Sequence, residues 1–236
     1  MNEPFRASEV RKAVFQLGAF KAPSPNGFLA IFYQRYWDIV GPLVTSVALF
    51  FLNSGHLFQE LNATCIALIP KVQSPTSPSN FRPINLCNVL YKIISKTSTN
   101  RLKLILPDCI SLSQNAFVPG HSIYDSSLLA NEISQFIRHR KSRNTFLATL
   151  KIDMSKAFDR VSWEFLLAIL ETMGFPCKWL CLIQQCIFTI SYSILINGAI
   201  FDFFHPARGL RQGDPLSPYL FYCLYGGFLC YSSTSR

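Results

Sequence analysis

In residues 146–153, FLATLKID, the side chains alternate. Phe146, Ala148, Leu150 and Ile152 fall on one face of an extended chain, and Leu147, Thr149, Lys151 and Asp153 on the other. The run predicts a strand whose more polar face ends on a carboxylate. Directly after it, MSKAFDRVS leads into an apolar helix predicted over 163–173, with Ser162 as its N-cap and Gly174 closing it before Pro176. Strand, turn and helix in so short a space put sheet and helix in one unit, for which a fold of the α+β class is the expectation, and they place Asp153 where the strand gives out.

The flanking sequence predicts what surrounds this unit. Residues 8–17 have helical periodicity, and KAPSPNGF (21–28) is a loop broken by two prolines and Asn26-Gly27. The apolar residues of 32–57 predict two helices separated at Gly41-Pro42. A short strand over 64–71 and a Ser- and Pro-rich loop then form a hairpin limb that leads into Arg82. Residues 89–106 predict a helix with Lys92, Lys96 and Lys103 on one side, since residues four and eleven apart nearly superpose on a helix. A solvated helix face would carry the same stripe. A further helix is predicted over 126–137, followed by the basic loop RHRKSR at 138–143. In 191–204 two strand-like runs flank Asn197-Gly198, whose residues accept the positive φ of a tight hairpin turn. RGLRQGDPLSPYLF (208–221) reads as a glycine-containing loop entering a helix, with Ser217 as N-cap, Pro218 at the first helical position and Asp214 as a helix-start residue.

Composition narrows the function classes. With 22 Lys and Arg against 13 Asp and Glu, the net charge is +9, which favours an anionic partner, although a surplus kept for solubility has the same sign. The eight cysteines are spread through apolar segments without a CxxC pair, which reads as reduced, buried thiols rather than a zinc site. The N-terminal residues lack a basic flank and apolar core, so an intracellular protein is expected. The longest uninterrupted apolar runs fall short of the ~20 residues of a membrane-spanning helix, so no membrane partner is expected.

A carboxylate at a strand end beside a helix suits metal-assisted nucleotidyl transfer. Two ions ~4 Å apart stabilise the attacking and leaving oxygens there, and magnesium takes one or two protein carboxylates, with water and phosphate filling the rest. A lone Asp after a strand also serves as a turn-former or helix cap. Taken together, LIPK, NFRPINLCNVLYKIISK, SQNAFVPG, LKIDMSKAFDRVSW, SYSILING and RGLRQGDPLSPYLF resemble, in order and over nearly the whole chain, the reverse transcriptase of LINE-type, non-long-terminal-repeat retrotransposons of the kind abundant in plants.

That resemblance implies an RNA-directed DNA polymerase of right-hand architecture, acting on an RNA template, a DNA primer and deoxynucleoside triphosphates with Mg2+. Residues 1–145 correspond to mostly helical fingers with an N-terminal helical extension. Residues 146–236 correspond to part of a palm, an antiparallel sheet backed by helices. Asp153 matches the first metal-binding aspartate. Phe158 is similar to the aromatic residue under the sugar that rejects a 2′-hydroxyl, with the small Ala157 beside it. Gln212 and Gly213 resemble the motif at the template base and nucleotide, and Lys71 and Arg82 the basic residues that hold the triphosphate. Asn115, Ala116 and Phe117 resemble a fingers motif near the template. Lys92, Lys96, Lys103, Arg208 and Arg211 are the candidate nucleic-acid contacts. Asp159 is read as a helix-start or salt-bridge residue.

The chain departs from the family in containing no Asp-Asp pair, in having His121 where Arg is usual, and in APSPNGF replacing a Gly- and Asp-containing loop. It is expected to lack the Asp-Asp hairpin and the thumb, and to be inactive on its own. Other readings are a catalytically dead nucleic-acid-binding remnant, a remnant that does not fold stably, and a maturase-type intron reverse transcriptase. Nuclear action is expected of the family.

Overall fold

The computed structural model describes residues 2–109, 122–140, 147–150 and 153–234. It is an α+β fold. Helix α1 (Ala7–Gln16) buries Val10, Ala13 and Val14, the positions one turn apart, and its first turn is closed by Glu9, whose carboxylate accepts from the Arg6 amide at 2.8 Å. Helices α2 (Ala30–Arg35) and α3 (Trp37–Ser54) follow, and Gly55 ends α3 in the left-handed conformation with φ of 79°.

The expected break at Gly41-Pro42 is not there: both lie inside α3, and the interruption falls at Tyr36. Pro42 sits early in the helix, and Gly41 lies against the Trp37 indole so closely that a Cβ would approach it to 2.8 Å. Helix α3 has the length and apolar composition to cross a membrane, unlike the apolar runs considered singly. Its Val44, Ala48, Phe51 and Leu52 are buried in the protein core, while Ile39, Leu43 and Phe50 on its other side are exposed.

A short helix α4 (Gln59–Asn62) leads into β1 (Ala63–Pro70), which pairs antiparallel with β2 (Phe81–Cys87) as expected of the hairpin limb. Helix α5 (Val89–Cys109) runs through the centre of the molecule. Its Tyr91, Ile93, Ile94, Leu102 and Leu106 are buried, and so are Thr97 and Thr99, whose hydroxyls donate to the carbonyls of Ile93 and Ser95 one turn back. Arg101 ties α5 to the N-terminus. It makes a two-pronged ion pair with Glu9 at 2.7 Å on each prong and lies 3.7 Å from the centre of the Phe5 ring.

Helix α6 (Ile123–His139) is exposed along its described side chains, Ile137 alone being half-buried. Helix α7 (Trp163–Thr172) begins where expected, with the Ser162 hydroxyl accepting from the Phe165 amide at 3.3 Å. Helix α8 (Cys177–Phe188), strands β3 (Ser191–Ile196) and β4 (Ala199–Ile200), and helix α9 (Ser217–Thr234) complete the chain order. Asn197 and Gly198 turn the β3–β4 hairpin with φ of 51° and 83°.

The sheet has the order β2-β1-β3-β4 and is mixed, not purely antiparallel as expected, because β1 and β3 run parallel from Ala63↔Ser191 to Ala67↔Leu195. One sheet thus takes strands from both sides of the 145/146 division. Residues 147–150 correct a second expectation: they form no strand, and Leu147 and Leu150 are exposed. Alternation specifies which face a residue would take, but a strand also needs a neighbour to bond its backbone, and none is present there among the described residues.

The thiols divide. Cys65, Cys87, Cys186 and Cys223 are buried, burial pushing the Cys186 thiol up to about 12, whereas Cys177 and Cys181 are exposed on α8, contrary to the expectation of buried thiols throughout. They occupy the solvent side of a helix whose other face holds Trp179, Leu182 and Ile183 in the core.

Candidate nucleic-acid interface

Two segments distant in sequence clasp each other. The Leu210 amide donates to the Phe158 carbonyl and the Gly209 amide to the Val161 carbonyl, both at 2.8 Å, and the Trp163 indole N–H donates to the Gly209 carbonyl at 2.7 Å. Gly209 has φ of 94°, and a Cβ there would meet the Asp159 carbonyl oxygen at 3.0 Å, so both the turn and the close approach require glycine. The clasp sets Ala157 and Phe158 beside the loop of Gln212 and Gly213. Phe158 is half-buried and stacked on Phe221, ring centres 4.9 Å apart, which holds the ring in place.

Gln212 and Gly213 are exposed. The Asn85 side chain on β2 donates to the Gln212 carbonyl at 3.0 Å, and the Gln212 amide donates to the Asp159 carboxylate at 3.4 Å. Asp159, read from sequence as a helix-start or salt-bridge residue, thus faces the glutamine. The loop leads into α9 through Asp214, which is buried and accepts from the Tyr91 hydroxyl at 3.1 Å, the Leu216 amide at 3.2 Å and the Ser95 hydroxyl. The helix-start reading of Asp214 agrees with this placement, while Ser217 is the first helical residue of α9 instead of the residue before it.

Between this loop, β2, α5 and the 16–22 loop lies an open cleft of about 610 Å³. Lys21, Lys92, Lys96, Asn85, Gln212 and Gly213 are among the residues that line it. Lys92 donates to the Ala22 carbonyl at 2.8 Å. Burial lowers the pKa of Lys92, with Arg211 and Lys21 adding to the effect, and burial lowers that of Lys96, with Lys103 and Lys21 adding. Cations crowded this way attract an anion, because each phosphate admitted relieves their mutual repulsion. Lys103 stands beside the cleft with its ammonium 5.2 Å from the centre of the Tyr219 ring. The stripe on α5 therefore opens, at Lys92 and Lys96, into the same hollow as the glutamine loop.

Arg211 overturns its sequence reading. Only 1% exposed, it cannot reach a backbone phosphate; its guanidinium donates to Asn62 and lies 4.4 Å from the centre of the Tyr91 ring. Burial opposes its charge, and the nearby Asp214 carboxylate favours it. Arg208 is exposed. Lys71 and Arg82 meet at the end of the β1–β2 hairpin, where Ile69 pairs with Arg82, and the Lys71 ammonium donates to the Ser79 carbonyl at 2.9 Å.

Asp153 is exposed. No group of three or more His, Cys, Asp or Glu side chains suited to a metal ion occurs among the described residues. One carboxylate supplies a single anchor for magnesium, so the described residues do not fit a two-metal centre. Lys21, Asn85, Asp159, Asn62 and Tyr91 were not singled out from sequence as parts of this interface. Lys21 and Asn85 sit in ordinary loop and strand contexts, and only the tertiary fold brings them to the cleft. Asn115, Ala116, Phe117 and His121 lie outside the described residues.

Residues 69–231 match the family described as reverse transcriptase (RNA-dependent DNA polymerase). The uncharacterized 149 kDa protein of transposon TX1 from Xenopus laevis is 29% identical over 230 residues, 98% of this chain and 17% of that protein. The retrovirus-related Pol polyprotein of the type-2 retrotransposable element R2DM from Drosophila melanogaster is 27% identical over 200 residues, 85% of this chain and 18% of that protein. An uncharacterized mitochondrial protein of Arabidopsis thaliana is 70% identical over 27 residues, 11% of this chain and 22% of its own length. The chain spans less than a fifth of the two transposon proteins.

Proposed function

Because this chain belongs to the reverse transcriptase family of non-long-terminal-repeat retrotransposons, we propose that it forms the fingers and part of the palm of a right-hand RNA-directed DNA polymerase, and that its cleft holds the template–primer. In this reading residues 1–145 are the fingers with their helical extension, and residues 146–236 belong to the palm. The observation that carries the reading is the convergence of Lys21, Lys92 and Lys96 with the Gln212-Gly213 loop on one hollow.

The residues divide the work by chemistry. Lys92 and Lys96 offer charge to backbone phosphates, with Lys103 beside them. Arg208, exposed at the start of the glutamine loop, adds a fork of donors. Gln212 presents hydrogen-bonding groups at the mouth of the cleft, and Gly213 lets a base or sugar approach the backbone. Phe158, stacked on Phe221, rejects the 2′-hydroxyl of a ribonucleotide in this reading and so selects deoxynucleotides, with the small Ala157 leaving room beside it. Lys71 and Arg82 at the hairpin end supply charge for a triphosphate. Asp153, exposed, contributes its single carboxylate.

Binding is therefore expected without turnover. Fluorescence anisotropy of a labelled RNA–DNA template–primer should give an affinity that falls with salt at a log–log slope of about −2 to −3, near −0.9 for each phosphate neutralised. Primer extension by the same preparation should be absent. Binding that is undetectable at low salt, or indifferent to salt, would sink the reading.

A further inference from the structure

Arg211 directly precedes the two loop residues that face the cleft, yet it is itself 1% exposed. Its partners come from well-separated parts of the chain. Asn62, at the entry to β1, accepts from its guanidinium through both the side-chain oxygen and the backbone oxygen, the latter at 3.4 Å. Tyr91 of α5 offers its ring face at 4.4 Å. Asn62 in turn donates to the Cys186 carbonyl at 3.0 Å and the Thr189 hydroxyl at 2.8 Å, which extends the connection to the end of α8.

We propose that Arg211 is a positioning residue: it fixes the Gln212-Gly213 loop to the seam of β1 and α5, and so sets where that loop meets nucleic acid in the cleft. This rests on the reading of the cleft given above. Stability alone does not explain such a residue. Its Nε and Nη1 are buried without a hydrogen-bond acceptor among the described residues. A buried cation in that state is costly, and a buried ionic network exchanged as a whole for apolar side chains often loses no stability, although removing Arg211 by itself would leave the buried Asp214 without a neighbouring cation.

What an apolar side chain cannot supply is direction. The planar fork engages Asn62 along one edge while its face rests on Tyr91, which defines both the height and the angle of the loop backbone. On either side of Arg211 the main chain is already held, by the Leu210 amide on Phe158 and by Asn85 on the Gln212 carbonyl. Asn85 joins the loop to the edge strand β2, and Arg211 adds an attachment at the entry to β1 and against α5. Gly213, with φ of 87°, then lets the chain turn from the buried arginine to the exposed face.

The test uses the full chain with Arg211→Met and Arg211→Lys, each followed by urea denaturation, by amide hydrogen exchange over 209–216, and by template–primer anisotropy. Arg211→Met should lower the denaturation midpoint, because it leaves the buried Asp214 without its neighbouring cation, while the chain stays folded. Exchange in 209–216 should rise at least tenfold while β1, β2 and α7 stay protected, and affinity should fall at least fivefold. Arg211→Lys, which keeps the charge without the fork, should fall between the two. Original protection and affinity in Arg211→Met would overturn the proposal. If Arg211→Met fails to fold, Arg211→Lys decides: a folded variant with a loosened loop and reduced affinity supports the proposal, and one with original protection and affinity overturns it. Should the unaltered chain bind no template–primer while the loop still loosens in Arg211→Met, the cleft reading fails and the anchoring role of Arg211 stands.

Discussion

Gly213 and Asp153 are both candidate site residues, but their surroundings differ sharply. Around Gly213 the loop is clasped at Gly209 and Leu210, held by Asn85 at Gln212, anchored by Arg211 and continued through the buried Asp214 into α9. Beside Asp153 in the chain, Leu150 is 82% and Met154 53% exposed, and α6 is likewise exposed, with Leu128 at 61% and Phe136 at 63%. The first region brings its partners together from within the chain. The second carries the alternation and apolar surface of a packed element without a described partner to cover it. A residue type and its spacing indicate chemistry, and only partners fix that chemistry in place.

Core truncations should show this contrast most strongly. Ile94→Ala, in the fully buried middle of α5, is expected to cost about 2–5 kcal/mol in urea unfolding. Leu150→Ala, on the exposed side, should change stability by no more than about 0.5 kcal/mol. A cost for Leu150→Ala approaching that of Ile94→Ala would mean that the second region is packed after all.

The clasp gives the next effect. Gly209→Ala places a methyl group against the Asp159 carbonyl at an unfavourable φ and should cost about 2 kcal/mol or more. Gly213→Ala meets open space and bears the conformational penalty alone, about 1 kcal/mol. Thermal denaturation of the pair measures the difference, and equal costs would show that the Gly209 contact is relaxed in solution.

The Glu9–Arg101 pair should have an effect of similar or smaller size, and one that depends on pH. Glu9 lies below its ordinary value of 4.5, chiefly because Arg101 hydrogen-bonds its ionised form. A carboxylate with a lowered folded pKa stabilises the fold above the unfolded value, and that contribution is lost as pH falls through the folded value. Glu9→Gln should therefore cost about 1 kcal/mol near neutral pH, and the difference from the original chain should shrink below pH 4.5. A difference that does not change with pH would remove the ion pair from the account.

The structure also shows which features could be read from sequence. Helix α7 with its Ser162 cap, the Asn197-Gly198 turn and the helix α5 were legible because each rests on neighbours a few residues away. The parallel pairing of β1 with β3 was not, since Cys65 and Ser193 become partners only through the tertiary fold. Arg211 was misread because charge ordinarily marks surface, and nothing nearby announces that Asn62 and Tyr91 will enclose it. Over 147–150, the described part of the strand expected at 146–153, the expectation failed for the complementary reason: its alternation was real, but pairing depends on a second segment. The likeness to reverse transcriptases was legible from motif order, and the family match over 69–231 agrees with it. The cleft was only half legible, through the lysines of α5 and the glutamine loop, because Lys21 and Asn85 join them from outside any motif.

The most direct test of the central claim, that the hollow between α5, β2 and the glutamine loop receives nucleic acid, is template–primer anisotropy for the Lys21→Glu, Lys96→Glu double variant beside a control reversed at Arg138 of α6 and at Arg140 just after it. The cleft variant should lose at least tenfold in affinity at moderate salt and show a slope shallower by about 1–2, while the control stays within about twofold. Unchanged binding by the cleft variant, or a loss confined to the α6 control, would contradict the account.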